Sequence, residues 1–331
     1  SAADGTVSIG ANAGKNVTSA DGSTFVGFSA GANVTTGGKN TFIGYYAGSQ
    51  AEDDSNNTFV GRYAGANVES DENTFIGTEA GAGVQDGTTG SQNTAIGYRT
   101  MYNHTTGNKN VAVGDQALQQ LTTGNNNVSI GMRASEVNDV GSNTVHIGTE
   151  AGRYATGSSN IFMGTNAGKG GTTTAPYSSG QHNIAIGLNA FDAFTTANEV
   201  VAIGNYAGSA VTTGGYHVLI GYQAGQMITS GNYITHVGYR AGRYNTGAYN
   251  TSLGFGALVG ANGTSTGGNN VAIGYNALTS LTTGNENVVI GKDAGDAMTT
   301  AVANIAIGSL AAGALTTGGD NIVIGYAALQ S

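Results

Sequence analysis

Residues 269–295, NNVAIGYNALTSLTTGNENVVIGKDAG, carry one pattern twice: Ile273-Gly274-Tyr275-Asn276-Ala277, then Ile290-Gly291-Lys292-Asp293-Ala294. Internal repeats constrain a fold before local propensity does. Working outward from this run, the same aliphatic-Gly step recurs along the whole chain. The anchors are Gly10, Gly27, Gly44, Gly61, Gly77, Gly97, Gly114, Gly131, Gly148, Gly164, Gly187, Gly204, Gly221, Gly238, Gly254, Gly274, Gly291, Gly308 and Gly325, which makes 19 units in 331 residues. Twelve of the 18 intervals are 17 residues, three are 16, two are 20 and one is 23.

Aligned on the anchor, the columns acquire physical meaning. The residue before the anchor is Ile, Val, Leu or Met in every unit, and three before it stands Val, Ile or Thr. Apolar or β-branched residues at alternate positions mark a strand. The residue between them varies (Phe42, Ala112, Ser129, His146), so the regular positions are expected to face the core and the variable one a less restricted environment. Three after the anchor is Ala in 18 units, with Thr100 the exception. A second inward corner that admits only a small side chain accounts for this. Four before the anchor is Asn in 13 units, among them Asn40, Asn57, Asn110, Asn127, Asn287 and Asn321, usually behind Gly-rich turn residues. Asn and Gly tolerate left-handed backbone angles, so these are corners.

Each unit then reads as turn, short strand, Gly bend, short strand, turn. A single unit cannot bury its own apolar stripe, but stacked copies pair strands at about 4.8 Å and share a core. The expected fold is all-β: a β-solenoid, or parallel β-roll, of about 19 coils. Stacked at that spacing the coils make a rod roughly 90 Å long. Asn side chains at the corners are positioned to ladder from coil to coil. The long intervals follow a rhythm of five coils, so residues 1–331 read as one continuous solenoid with superunits near 1–86, 87–172, 173–262 and 263–331. Insertions fall near residues 88–91, 172–179 and 263–266, the second holding the single proline, Pro176.

Composition narrows the classes. Gly accounts for 57 residues, charged residues for 9% against roughly 25% in typical soluble domains, and Trp and Cys are absent. Collagen needs Gly at every third position with abundant Pro, and disorder goes with low hydrophobicity, whereas 39% of this chain is hydrophobic. The net charge of -9 comes with no basic stripe to neutralise phosphates, so nucleic acid is not an expected partner. No apolar run approaches the roughly 20 residues of a membrane span, and membrane insertion by this chain is not expected. Without Cys there are no disulfides or thiolate metal sites.

The 269–295 run, echoed by NVAVGDQALQQLTTGNNNVSIG at 110–131, resembles the head repeats of trimeric autotransporter adhesins, which also occur in phage tail fibres. The resemblance rests on the aliphatic-Gly-x-x-Ala element and covers nearly the whole chain. It implies a left-handed parallel β-roll, three chains side by side, and binding to host matrix or other cells. This sequence departs from the family in its longer unit and its five-coil rhythm.

Motifs with chemical meaning are sparse. Gly27-Phe28-Ser29-Ala30-Gly31 matches the G-x-S-x-G nucleophile elbow, but sister units carry Tyr46, Tyr63, Asn166 or Gln223 where Ser29 stands, so it reads as a repeat variant. GTNAGKGG at 164–171 falls short of a phosphate loop by one spacer residue and by Gly170 in place of Ser or Thr. His104, His146, His182, His217 and His236 show no metal-ligand spacing. The acidic stretches 52–54 and 69–72 lie 17 residues apart and are expected to stack as solvated loop charge. Sequons occur at Asn16, Asn33, Asn56, Asn103, Asn127, Asn250 and Asn262. Tyr recurs directly after the anchor at Tyr45, Tyr98, Tyr222, Tyr239, Tyr275 and Tyr326, an aromatic stripe suited to an interface or a ligand.

The expected function is non-enzymatic: an extracellular or cell-surface structural protein forming a rigid fibre or filament and adhering to cells or surfaces. No cofactor, metal or catalytic residue is assigned. The expected partner is the chain itself, as a homotrimer or a head-to-tail polymer, with host or neighbouring-cell surfaces as further partners. Completion of the five-coil rhythm, with a Gly10 placed 16 residues beyond Gly325, motivates the polymer. The alternative is a virion tail-fibre segment with receptor-binding or polysaccharide-depolymerase activity.

Overall fold

The computed structural model describes residues 4–84, 88–261 and 265–330. Contacts divide the chain into two compact units, Ser1–Asn160 and Ile161–Ser331. Nine strands, from Val7–Ile9 to Val145–Ile147, lie in the first unit, and ten, from Ile161–Met163 to Ile322–Ile324, in the second. Within each unit every strand pairs in parallel with the next, and no helix occurs among the described residues. Each unit is a β-solenoid with one strand per coil, the strand ending at its anchor glycine as the repeat predicts.

The strand face is inverted relative to the sequence reading. The middle residue of the strand, not the conserved-looking pair around it, points inward: Phe25, Phe42, Phe59, Phe75, Ala95 and Ala112 are fully buried. The residues flanking it look out, and Ile43, Ile76, Ile96 and Ile130 are each 38% exposed. A three-residue strand has room for one inward side chain only, since successive side chains alternate faces. Direct register stacks like on like in the core: Phe42 pairs with Phe59 and Phe59 with Phe75, at ring separations of 4.8 and 5.1 Å.

Core volume is balanced inside each coil. A large middle residue faces Gly four after the anchor, as in Phe75 over Gly81 or Phe162 over Gly168. A small one faces a buried large residue, as Ala95 with Met101, Ala112 with Leu118 and Ala185 with Phe191. The Ala column three after the anchor is buried as expected, including Ala30, Ala47, Ala64 and Ala117.

The second strand expected after the Gly bend does not form. Residues two and four after the anchor take left-handed angles, for example Arg133 at φ 55° and Ser135 at 53°, so the segment is a chain of turns. It is still stitched to its neighbours: Arg133 N–H donates down to Asp115 O and Ser135 N–H up to Ala151 O. The anchors have φ near +130°, a region open essentially to Gly alone.

The Asn ladder is present. Asn40, Asn57, Asn73, Asn93, Asn110 and Asn127 are fully buried, and each Oδ1 accepts the backbone N–H of the ladder residue one coil on, at 2.8–3.0 Å. In the second unit Asn250, Asn270, Asn287 and Asn304 continue the same contact.

The insertions sit slightly differently from expectation. Thr88 and Ser265 are already back in register, bridged to Val68 and Asn245 and buried. The superunit boundaries at 86/87 and 262/263, the insertion residues 263 and 264 and the Asn262 sequon lie outside the described residues. The sequons at Asn127 and Asn250 are closed to modification in the fold, because both side chains are consumed by the ladder.

Candidate functional site

All six tyrosines singled out by the repeat are exposed, from 38% for Tyr222 and Tyr239 to 79% for Tyr326. They do not form one stripe. Tyr222, Tyr239 and Tyr275 belong to a single column in which Phe255 fills the gap, with ring separations of 5.3, 4.8 and 5.1 Å and planes within 17°. Tyr45 belongs to another cluster, stacked on Phe28 and edge-on to Tyr46 and Tyr63. Tyr98 holds the Arg99 guanidinium 5.2 Å from its ring, and no ring stacks on Tyr326 among the described residues. A second column, Tyr216, Tyr233 and Tyr249, stacks at 4.9 and 5.3 Å and is equally exposed. Sequence reasoning missed it, although Tyr five before the anchor in three successive units was there to count.

The turn segment after the anchor carries the arginines. Glu79 bridges Arg62 and Arg99 at 2.8 and 2.7 Å. Arg153 meets both Glu136 and Glu150, and Arg133 lies 3.9 Å from Glu150. Arg240 and Arg243 differ: their Nε atoms donate to the neutral amides of Gln223 and Gln226, at 3.1 and 2.9 Å. Their guanidinium groups lie 5.1 Å from the Tyr239 ring and 4.6 Å from the Tyr244 ring. Between these groups, Phe255, Gly256, Val259 and Asn276 opens a groove of about 270 Å³.

The two acidic stretches meet as expected, in a groove of about 350 Å³ lined by Glu52, Asp53, Asp54 and Glu69. Loss of water around Asp54, reinforced by Asp71, Glu69, Asp53 and Glu52, pushes its carboxyl up to about 7. Asp53 moves the other way, because the hydroxyls of Thr35 and Thr36 donate to its Oδ1 at 2.6 and 2.7 Å. The groove can therefore hold a proton near neutral pH. No group of three or more His, Cys, Asp or Glu is placed to hold a metal ion among the described residues.

The other motifs resolve into packing. Ser29 is 5% exposed and left-handed, with no hydrogen bond to a histidine or carboxylate among the described residues. Gly168, inside the phosphate-loop-like run, is Gly because the Phe162 ring occupies the space of a Cβ. His146 and His236 sit at the buried middle of their strands, over Gly152 and Gly242. The Nδ1 of His146 hydrogen-bonds Ser135 Oγ at 2.6 Å, which in turn bonds Ser129 Oγ, a buried polar chain that sequence reasoning did not find.

Burial pushes His236 down to about 3 and His104 and His217 to about 4. The Nε2 of His236 has no partner among the described residues, so an added proton there has nothing to bind. The unfolded chain, with His near 6.5, then binds more protons than the fold. The stability these residues contribute is complete above about pH 6.5 and lost as pH falls toward 3, at about 1.4 kcal/mol per pH unit for each. Replacing His236 by Phe, the residue that fills this column at Phe75, together with its partner Ser252 by Ala, removes one such contribution. Urea titrations at pH 7.5 and 4.5 are expected to show a smaller loss of stability on acidification for the double variant than for the parent.

Comparison with known proteins found no matching family model and no match among curated proteins.

Proposed function

We propose that the chain is a non-enzymatic structural element of an extracellular fibre that associates with copies of itself side by side and adheres to cells or surfaces. The observation that carries this reading is the outward sheet face. Rows of Ile and Val run along each solenoid unit half-exposed, with Ile43, Ile76, Ile96 and Ile130 in the first and Ile161, Met163, Ile186 and Leu253 in the second. Monomeric proteins rarely leave large contiguous apolar surface uncovered. A flat face of β-branched side chains in register is complementary to a second such face, and sheets pack at about 10 Å through such surfaces. The resemblance to the head repeats of trimeric adhesins supports the same arrangement and gives its expected number, three.

The test is light-scattering mass and electron microscopy across a hundredfold concentration range. The parent is expected at three-chain mass. The variant with Ile96→Lys and Ile130→Lys, which adds two charges to the outer face and none to the core, is expected at one-chain mass with its circular dichroism unchanged. A parent that stays at one-chain mass throughout overturns the reading. Filaments that lengthen with concentration and persist in the variant replace side-by-side association with end-to-end growth.

A further inference from the structure

We infer that the groove around Gly256 is a binding site for a carboxylate-bearing sugar. The inference names a ligand class for the adhesive part of the reading above and rests on that reading for its setting only.

The groove begins with a missing side chain. Two after the anchor, 18 of the 19 repeats carry a side chain; Gly256 does not. Its backbone angle does not require Gly, since Arg240 and Asn276 hold the same left-handed conformation one coil to either side, at φ 56° and 51° against 65°. What the absence leaves is space. A Cβ at Gly256 would lie 2.5 Å from Asn276 Oδ1, so the Asn276 amide reaches into the notch and offers both a donor and an acceptor.

The charge in the notch is fixed and uncompensated. Gln223 and Gln226 engage only the Nε of Arg240 and Arg243, and the tyrosine rings support the guanidinium planes. The terminal nitrogens of both are uncommitted among the described residues. All four other arginines of the chain meet a glutamate. The nearest carboxylates in the same two columns, Asp293 and Asp296, stand three coils away, about 14 Å at the spacing of paired strands. Half-buried, pre-oriented guanidinium forks select a planar carboxylate over a diffuse anion.

The walls select a ring. Phe255 and Tyr239 flank one side and Tyr244 the other, giving apolar surface suited to the C–H face of a pyranose. At about 270 Å³ the groove lies just below the usual range of about 300–1,000 Å³ for small-molecule sites, which suits one sugar ring. A bare sulfate or acetate leaves these walls unused.

The test titrates the purified chain with D-glucuronate by calorimetry or NMR, with glucose, acetate and sulfate as controls. Glucuronate is expected to bind with Kd on the order of 1 mM, and each control at least tenfold more weakly. Arg240→Gln and Arg243→Gln place residues that already occupy these columns at Gln223 and Gln226, and each is expected to weaken binding at least tenfold. Gly256→Asn, matching Asn276, fills the notch and is expected to abolish binding with the thermal melt unchanged. Equal affinity in the parent and both arginine variants overturns the inference. So does the absence of saturable glucuronate binding, or acetate or sulfate binding as tightly as glucuronate. Mass measured on the same samples separates the two ideas: a one-chain protein that binds glucuronate overturns lateral association alone, and an assembled protein that does not bind it overturns the site alone.

Discussion

Gly131→Ala is expected to destabilise its solenoid unit by more than about 4 kcal/mol, enough to unfold the neighbouring coils at room temperature. Two effects add. The backbone at Gly131 has φ +134°, a conformation that costs a residue with a Cβ about 1–3 kcal/mol. The new Cβ would also lie 2.5 Å from the carbonyl oxygen of Gly148 in the next coil. That carbonyl cannot retreat freely, because Gly148 N–H is bonded to Ile130 O at 2.8 Å and Ala151 N–H to Gly148 O at 3.2 Å. Gly325→Ala is the matched control. It has the same angle, φ +131°, but its Cβ would meet only Ala328 Cβ at 3.8 Å. Urea unfolding followed by circular dichroism should show a loss of about 1–3 kcal/mol for Gly325→Ala and a much larger one for Gly131→Ala. Equal losses would mean that backbone angle alone, and not the approach of coils, demands the anchor glycine.

Asn287→Ala is expected to cost about 3–5 kcal/mol. Asn287 Oδ1 accepts from both the N–H and the side-chain amide of Asn304, at 3.1 and 3.0 Å. Its Nδ2 donates to Ala301 O at 2.8 Å and to Asn270 Oδ1 at 3.0 Å. Alanine leaves these buried groups unpaired, and each such group costs about 1–3 kcal/mol, partly relieved by relaxation. Asn285→Ala, two residues away at a half-exposed turn, removes a contact to Gly268 N–H and one to Thr283 O where water can replace them, and should cost about 1 kcal/mol. Hydrogen exchange gives the residue-level check: the Asn304 amide should lose protection in Asn287→Ala and keep it in Asn285→Ala.

Much of the fold was legible because the repeat is so regular. The anchor glycines located every strand, the Asn column located a ladder, and the Ala column located a tight corner. The inward face was not legible from regularity alone. The invariant aliphatic pair around Phe42 or Ala112 looked like core because it never varied, yet β-branched residues also favour an exposed pleated surface. The discriminating signal was covariation inside the unit: Phe75 goes with Gly81, and Ala112 with Leu118. A slot that is filled from one side or the other must be the interior. Left-handed angles at residues such as Arg133 and Leu118 were invisible, since neither type advertises them. The arginine groove was within reach. Counting back 17 residues from Arg240 and Arg243 gives Gln223 and Gln226, whereas counting back 17 from Arg153 gives Glu136. Its walls were harder, because the notch at Gly256 matters only once neighbouring coils are known to stack in register.

The balance of core volume within each coil has an evolutionary consequence. A coil that fills its own interior asks little of the coils beside it beyond backbone pairing and the Asn contact. Duplication or loss of one 17-residue unit therefore changes the length of the molecule without opening a cavity or forcing its neighbours to repack. Coil number is then free to drift under selection for reach, while the interior chemistry stays as it was.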